Sequence, residues 1–324
     1  MESLVYYLKQ RSMNPRKSIK LFVIMLLSAA VMTACKKDEP VEVPTNSAPV
    51  QQLSQDDSSV EYNVDEVIYD AGDILSGNYG MKNLTLPCNS TLESVNVAND
   101  TVSYHISYHG QNCSQTKTRT GSVIIKIRED TQWSTPGSIL LVELKDYKVT
   151  NILNGLTMTM TGTSSLENVS GGIIQQLGSG VNTVINKNVA DVMVTFSGYP
   201  EREWHLTKML VYTGTPGNLA LAVNGFGVSH GYQSVLSWGK DREGKTFFSQ
   251  VAQSVVYTEA CNFLPRSGKQ IYSYPGDNLT ATVTYGFNNN NEPITGAECP
   301  THYKLEWQQH GNSGTIFIPL TGNK

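Results

Sequence analysis

The segments SVIIKIR (residues 122–128) and LTMTMT (residues 156–161) carry apolar side chains at alternate positions, with hydroxyl or charged residues between most of them. Successive side chains of a β-strand point to opposite faces of a sheet, so each segment predicts a strand with one apolar and one wet face. The same alternation recurs at residues 192–196, 279–285, 303–307 and 316–318. Turn signals separate the segments, so we predict an all-β domain over residues 78–324, an antiparallel meander that forms an open barrel or a sandwich.

One segment near the N-terminus has a helical period instead. Its apolar residues recur three or four positions apart, at Val60, Val64, Val67, Ile68, Ala71 and Leu75. Asp56, Asp57 and Ser58 supply capping side chains, and Gly77 can end a helix. We therefore predict an amphipathic helix over residues 56–77 that packs one apolar stripe on the sheet.

The first residues have the features of a secretory signal. An apolar run at residues 21–31 follows Arg16, Lys17 and Lys20, and it is too short to span a membrane. Met32-Thr33-Ala34-Cys35 resembles the bacterial lipobox. This resemblance implies a signal peptide over residues 1–34 and a lipid on Cys35, which becomes the first residue of the mature chain. The alternatives are an ordinary cleaved signal or a buried apolar helix. Met13 opens a cleaner signal start than Met1.

Residues 35–55 are rich in Pro, Ser, Gln and charged side chains, with little to bury, and predict a flexible tether. The acidic and lysine residues after Cys35 resemble the export signals of some Bacteroidota lipoproteins. That resemblance implies a lipid-anchored protein of the outer membrane, on its periplasmic or cell-surface face.

Charge argues against a nucleic-acid partner. The whole chain is −4, and residues 1–34 carry five basic residues and one acidic residue, so the mature part is about −8. A polyanion would be repelled by such a chain.

Cysteine spacing predicts disulfides rather than a metal site. Besides Cys35 the chain has Cys88, Cys113, Cys261 and Cys299, and an even number in an exported protein indicates two bridges. Three pairings are possible, and we favour the one between sequence neighbours, Cys88–Cys113 with Cys261–Cys299. Zinc is disfavoured because no cysteine has a ligand at CxxC-type spacing, and we expect no metal or other cofactor.

Several short motifs occur in a fixed order between residues 100 and 320. They are Gly121-Ser122-Val123-Ile124-Ile125, Pro136-Gly137-Ser138, Asp146-Tyr147-Lys148-Val149 with Gly155, Arg242-Glu243-Gly244-Lys245, Cys261 with Ser267-Gly268-Lys269, Thr284-Tyr285-Gly286, and Cys299. Together they resemble a family of uncharacterised secreted or lipid-anchored proteins of Bacteroidota. The resemblance implies a β-rich fold and an envelope location, and it implies no catalytic residue.

The segment GVSHG (residues 227–231) fits the nucleophile-elbow pattern G-x-S-x-G, which would make Ser229 a nucleophile served by His302 or His310. That chemistry requires a sharp strand-to-helix turn. Residues 232–239 are typical of a strand, so we favour a hairpin turn.

Four other groups of side chains are candidates for ligand binding or for a modification. His105 and His109 lie about 13 Å apart along a strand, too far for one metal ion. Glu201, Glu203 and His205 share a strand face and could hold a cation, although a solvated edge is favoured.

The four tryptophans, Trp133, Trp204, Trp238 and Trp307, suit sugar stacking or, as we favour, core packing. Asp100-Thr101-Val102 resembles the site at which Bacteroidota attach O-glycans, so Thr101 is a predicted glycosylation site.

From these features we expect a cell-envelope lipoprotein with a binding or structural role and no catalysis. Its partners would be the membrane, through the lipid, and a glycan or a protein. One alternative is a fimbrillin-like adhesin or pilus subunit, which predicts a removable first strand and a groove for a donor strand. The second is a serine hydrolase that uses Ser229.

Overall fold

The computed structural model describes residues 47–76 and 86–320. Residues Asn46–Lys324 form one compact unit, so a chain that starts at residue 46 suits solution experiments. The predictions for the signal peptide, Met13, Cys35 and Gly77 lie outside the described residues, as does the tether up to residue 46. Among the described residues, no helix combines the length and the hydrophobicity that a membrane span requires.

The chain is mostly β, as predicted. Helix α1 spans Ala48–Ser76, and fifteen strands follow it within the described residues. The strands are β1 (Ser90–Ala98), β2 (Thr101–Gln111), β3 (Lys117–Arg128), β4 (Ser138–Asn151), β5 (Thr157–Asn168), β6 (Thr183–Phe196), β7 (Arg202–Thr215), β8 (Asn218–Gly225), β9 (Gly227–Ser229), β10 (Tyr232–Lys240), β11 (Thr246–Thr258), β12 (Leu264–Tyr274), β13 (Leu279–Phe287), β14 (His302–Gln309) and β15 (Asn312–Pro319).

All the strands belong to one antiparallel sheet. Neighbouring strands pair in chain order from β1 to β7, β10 follows β7, and the order then runs on to β15. Strand β8 pairs with β7 and β11, and β9 pairs with β10. The meander predicted from alternation is therefore confirmed, and in the part of the chain described only the pairs β7–β10 and β8–β11 join strands that are not consecutive.

The sheet curls around α1 into a barrel-like arrangement. Residues along the helix contact strands from across the sheet. Ser54 bonds to Tyr303 of β14, Asp57 to Trp204 of β7, Asn63 to Met158 of β5 and Asp70 to Tyr108 of β2. The helix thus lies inside the curled sheet rather than against one outer face.

The helix begins eight residues earlier than predicted, so the prediction of a tether over residues 35–55 is wrong for residues 48–55. Val50 and Leu53 are fully buried and extend the stripe of the later turns. Buried residues recur at alternating intervals of three and four, at Val50, Leu53, Asp57, Val60, Val64, Val67, Ala71 and Ile74. Pro49 is compatible with this start because the first turn needs no backbone donor from it.

The stretch 164–187 lacks a clear alternation in the sequence, which predicts a loop with one helical turn near Ile173, Ile174 and Leu177. This prediction is wrong at both ends of the stretch. Strand β5 runs to Asn168, β6 starts at Thr183, and a single 3₁₀ turn spans Ile174–Gln176. The inward positions here are polar: Ser164 bonds to Asn188, and Asn168 donates to the carbonyl of Trp133. Polar residues at buried positions hid the alternation.

The two disulfides join the cysteines that we paired by sequence proximity. Cys88 bonds to Cys113 with Cα atoms 5.1 Å apart, and Cys261 bonds to Cys299 with Cα atoms 5.3 Å apart. The first links the residues before β1 to the β2–β3 turn. The second links the β11–β12 turn to the loop before β14.

Candidate functional site

A cavity of about 1060 Å³ lies between α1 and the inner face of the sheet. Its volume is at the upper end of the range for small-molecule sites. One side, here called the helix wall, is polar and is formed by Gln52, Gln55, Ser58, Glu61, Tyr62, Asp65, Glu66, Tyr69 and Asp70. The sheet side is mixed. Its apolar part, here called the apolar wall, is formed by Leu156, Met158, Leu219, Leu221, Val223, Leu264 and Val283, and polar residues that include Lys117, Lys208 and Gln270 lie beside it.

The helix wall exists because α1 has two unlike faces. One face carries the buried stripe described above and packs in the core. The 29-residue helix carries seven acidic residues, six of them outside this stripe, and no basic residue. An all-acidic helix is unfavourable by itself, because like charges four positions apart repel each other. Cations for these carboxylates must therefore come from the sheet.

Two of those cations come from β3. Lys117 and Arg119 are buried. They occupy alternate positions of β3 on the inward-facing side that also carries Val123, Ile125 and Ile127. Their partners on the helix are Glu66 and Asp70.

The β3 cations balance their partners in charge. Arg119 lies 2.8 Å from Asp70 and 3.5 Å from Glu66, and Lys117 lies 3.6 Å from Glu66. Burial raises the pKa of Asp70 to about 6 and lowers that of Lys117 to about 8. Two acids thus face two bases.

Lys208 of β7 faces a larger group of acids. Its Nζ donates to Oδ1 of Asp65 at 2.6 Å and lies 3.7 Å from Oε2 of Glu61. Asp57, one turn before Glu61, also attracts Lys208. Burial would lower the pKa of Lys208, but Asp65 and Glu61 outweigh it and raise that pKa.

Two of the carboxylates around Lys208, those of Glu61 and Asp57, hold protons unusually tightly. Burial raises the pKa of Glu61 to about 8, and repulsion from Asp57 adds to the effect. Burial also raises the pKa of Asp57 to about 6, against hydrogen bonds from Ser237 and Trp204. Three acids therefore surround one lysine. Two of them, Glu61 and Asp65, line the cavity, and Glu61 is the one that lies farther from Lys208.

Arg242, which follows β10, pairs with a single acid, so the charges of this third group balance. Its guanidinium bonds twice to Asp56, at 2.6 and 2.5 Å, and lies over the ring of Phe196. This fork geometry fixes the first turns of the helix against the sheet.

The cavity reaches the surface beside two exposed apolar side chains. Leu153, in the β4–β5 turn, is 79 % exposed, and Phe263, in the β11–β12 turn, is 42 % exposed. Both line the cavity. Phe263 has φ 53°, in the left-handed region that bulky residues seldom adopt. Exposed apolar groups at an opening are typical of a site that admits an apolar molecule.

The cavity is the feature that best indicates function. No family model, curated protein or solved structure matches the chain. None of the residues that line it was singled out for chemistry in the sequence. Two features of the sequence could have indicated them. One is a helix with acidic and no basic residues, and the other is the presence of Lys or Arg at inward positions of strands.

The GVSHG segment forms the hairpin that we favoured. Strands β9 and β10 pair through Ser229 and Tyr232, and His230 and Gly231 turn between them with positive φ. The Ser229 hydroxyl lies 3.0 Å from Nδ1 of His230. The segment therefore lacks the strand-to-helix turn of a nucleophile elbow. His302 starts β14 and bonds to Thr301.

Glu201, Glu203 and His205, the residues that could hold a cation, do not line the cavity. Nδ1 of His205 is 2.6 Å from Oδ1 of Asp191, and its ring stacks on Trp238. Among the described residues, no three His, Cys, Asp or Glu side chains are placed to hold a metal ion. His105 and His109 lie on β2.

Three of the four tryptophans pack in the core, as we favoured. Trp133, Trp204 and Trp307 are buried, and Trp238 is half-buried beneath His205. Thr101 lies after the β1–β2 turn and donates to the carbonyl of Asn99. It is half-buried, and its glycosylation stays a prediction.

Proposed function

We propose that the protein is a cell-envelope lipoprotein that binds a small amphiphilic molecule in the cavity between α1 and the sheet. The carrying observation is the cavity of about 1060 Å³ with one polar and one apolar wall. An amphiphile would bury its apolar part against the apolar wall and keep its polar end at the helix wall. The role is binding rather than catalysis. The lipid on Cys35 would hold the site at a membrane.

A neutral fluorescent probe tests this proposal. N-phenyl-1-naphthylamine brightens in apolar sites, and the chain starting at residue 46 should bind it saturably at one site. Val223 lines the cavity, so Val223→Trp fills part of it. We expect this variant to lose at least about tenfold in affinity, by steric exclusion and the cost of overpacking.

The matched control places the same side chain outside the cavity. Val228 is exposed in the β9–β10 hairpin, so Val228→Trp should bind the probe like the original protein. Circular dichroism would establish that both variants fold. Unchanged affinity in folded Val223→Trp would overturn the proposal.

A pilus or adhesin subunit is the second candidate. Strand β1 pairs with β2, and within the described residues its other edge has no strand partner. A free edge can accept a strand from another chain. However, Cys88–Cys113 links the start of β1 to the β2–β3 turn and opposes removal of this strand. We therefore rank this candidate second. Ladders on mildly denaturing gels would support it, and strictly monomeric protein would exclude it.

A further inference from the structure

We infer that the cavity takes an amphiphile whose polar end is a protonated amine, and that Glu61 and Asp65 receive this amine. The inference rests on the proposed binding function and adds the chemical class of the ligand. It follows from the shape of the cavity, from the charges on its two sides and from the cations that are already engaged.

The charges between the helix and the sheet do not cancel. Six acids of α1 face the interior: Asp56, Asp57, Glu61, Asp65, Glu66 and Asp70. Among the described residues, four cations face them: Lys117, Arg119, Lys208 and Arg242. The two acids without a cation both belong to the group around Lys208. In the empty site a proton on Glu61 offsets one of these two negative charges, and the other stays uncompensated. Uncompensated charge is costly away from bulk water, so this part of the cavity favours an added cation.

Glu61 and Asp65 are more open to the cavity than Lys208, which also lines it. The Lys208 side chain is 1 % exposed, and those of Glu61 and Asp65 are 15 % and 25 % exposed. Both carboxylates line the cavity. They lie one helical turn apart on the same face, so one ammonium group, which has three donors, can bond to both.

An anionic head group would find no unpaired cation among the described residues of this site. Each of the four cations already contacts at least one carboxylate, and the nearest carboxylate lies at most 3.6 Å away, the distance between Lys117 and Glu66. A fatty acid would therefore place its carboxylate among acids without a counter-ion. An alcohol would be tolerated but would gain no charge–charge attraction.

Protonation of Glu61 provides a second readout. Burial raises the pKa of Glu61 to about 8, so the empty site holds a proton there at pH 7. A bound ammonium favours the ionised carboxylate, and the proton then passes to the buffer. Amine binding should therefore release protons, and alcohol binding should not. Calorimetry in two buffers of different ionisation enthalpy measures this release.

The test uses three ligands that share one apolar chain. Dodecylamine, dodecanol and dodecanoate, below their micellar concentrations, would displace N-phenyl-1-naphthylamine from the chain starting at residue 46 at pH 7. We expect dodecylamine to bind at least about tenfold more tightly than the other two, the effect of a charge-assisted hydrogen bond. Glu61→Gln should remove the proton release and most of this preference, measured as the ratio of the dodecylamine and dodecanol affinities of the same variant.

The control substitution lies on the same helix. Asp73 is exposed and does not line the cavity, so Asp73→Asn should keep the preference for the amine. Equal binding of the three ligands, tighter binding of dodecanoate, or an amine preference that survives in Glu61→Gln would overturn the inference while the proposed function stands. Loss of all probe binding in the unmodified chain would instead remove the proposed function.

Discussion

The indole Nε1 of Trp204 donates to Oδ1 of Asp57 at 3.0 Å, in the interior between β7 and α1. The second carboxylate oxygen of Asp57 accepts from the Ser237 hydroxyl at 2.8 Å. A fully buried acid on the helix is thus bonded to two adjacent strands, β7 and β10. These two bonds fix the rotation of α1 about its own axis, because Asp57 reaches Trp204 and Ser237 only when its face of the helix is turned towards β7 and β10.

Removal of the Asp57 carboxylate should destabilise the fold. Asp57→Ala leaves the donors of Trp204 and Ser237 unsatisfied in the core and creates a small cavity. We expect a loss of about 3 kcal/mol in the free energy of unfolding, measured by urea denaturation. Asp73→Asn, an exposed acid on the same helix, should change it by less than about 0.5 kcal/mol. Equal effects of the two substitutions would contradict the role of Asp57.

Glu61 should make stability depend on pH. In the unfolded chain its pKa is near the ordinary 4.5, and burial raises it to about 8 in the folded protein. The folded state therefore holds more protons between these values, and the free energy of unfolding falls as pH rises from about 5 to 8. Over this interval the free energy of unfolding of Glu61→Gln should fall less than that of the original chain, and the difference should be on the order of 2 kcal/mol. Urea titrations of both proteins at the two pH values measure the difference, and parallel losses would refute it.

How well the fold could be predicted depended on what occupied the inward positions. Where these were apolar, as at Val123, Ile125 and Ile127, the alternation predicted strands correctly. Where they were polar, as at Ser164 and Asn188, the strands extend beyond the segments predicted for them. The early start of α1 escaped notice because only Val50 and Leu53 signal it among six polar or small residues in the segment 48–55.

The cavity could not be predicted from the sequence for a related reason. Its cations lie on strands, and its acids lie on a helix far away in the chain. Lys208 follows Leu206 and precedes Leu210 at inward positions of β7, but alternation alone does not tell which carboxylate it meets. That pairing depends on how the sheet curls around α1, which is a long-range property. The disulfides were predictable because their partners are close in the chain.

Asp70 and Arg119 should show strong energetic coupling. Arg119 is buried, and its nearest carboxylate is Asp70 at 2.8 Å. Asp70→Ala removes the nearest negative charge from the buried guanidinium and should lower the free energy of unfolding by about 3 kcal/mol. Arg119→Met should cost a similar amount, whereas the double variant should cost clearly less than the sum, by at least about 1 kcal/mol. A double-mutant cycle by urea denaturation measures the coupling, and strict additivity would show that Glu66 compensates Arg119 alone.

Cys35 should carry the lipid that places the binding site at a membrane. The small residues before it and the apolar run 21–31 are the features that a lipoprotein signal requires. We expect labelled palmitate to enter the full-length protein in cells and to be absent from Cys35→Ala. The Cys88→Ser/Cys113→Ser variant, which changes other cysteines, should still be labelled. A Cys35→Ala protein that sediments with envelopes after carbonate washing would contradict the anchor.

The first two turns of α1 should contribute to stability as core rather than as tether. Val50 and Leu53 are fully buried, whereas Gln52 and Gln55 on the same turns are exposed. Val50→Ala with Leu53→Ala should therefore cost about 4 kcal/mol in the free energy of unfolding, from lost burial and the cavities left behind. Gln52→Ala with Gln55→Ala should be nearly neutral, since alanine also favours helix. If residues 48–55 were a flexible tether, both double variants would unfold at the same urea concentration as the original chain.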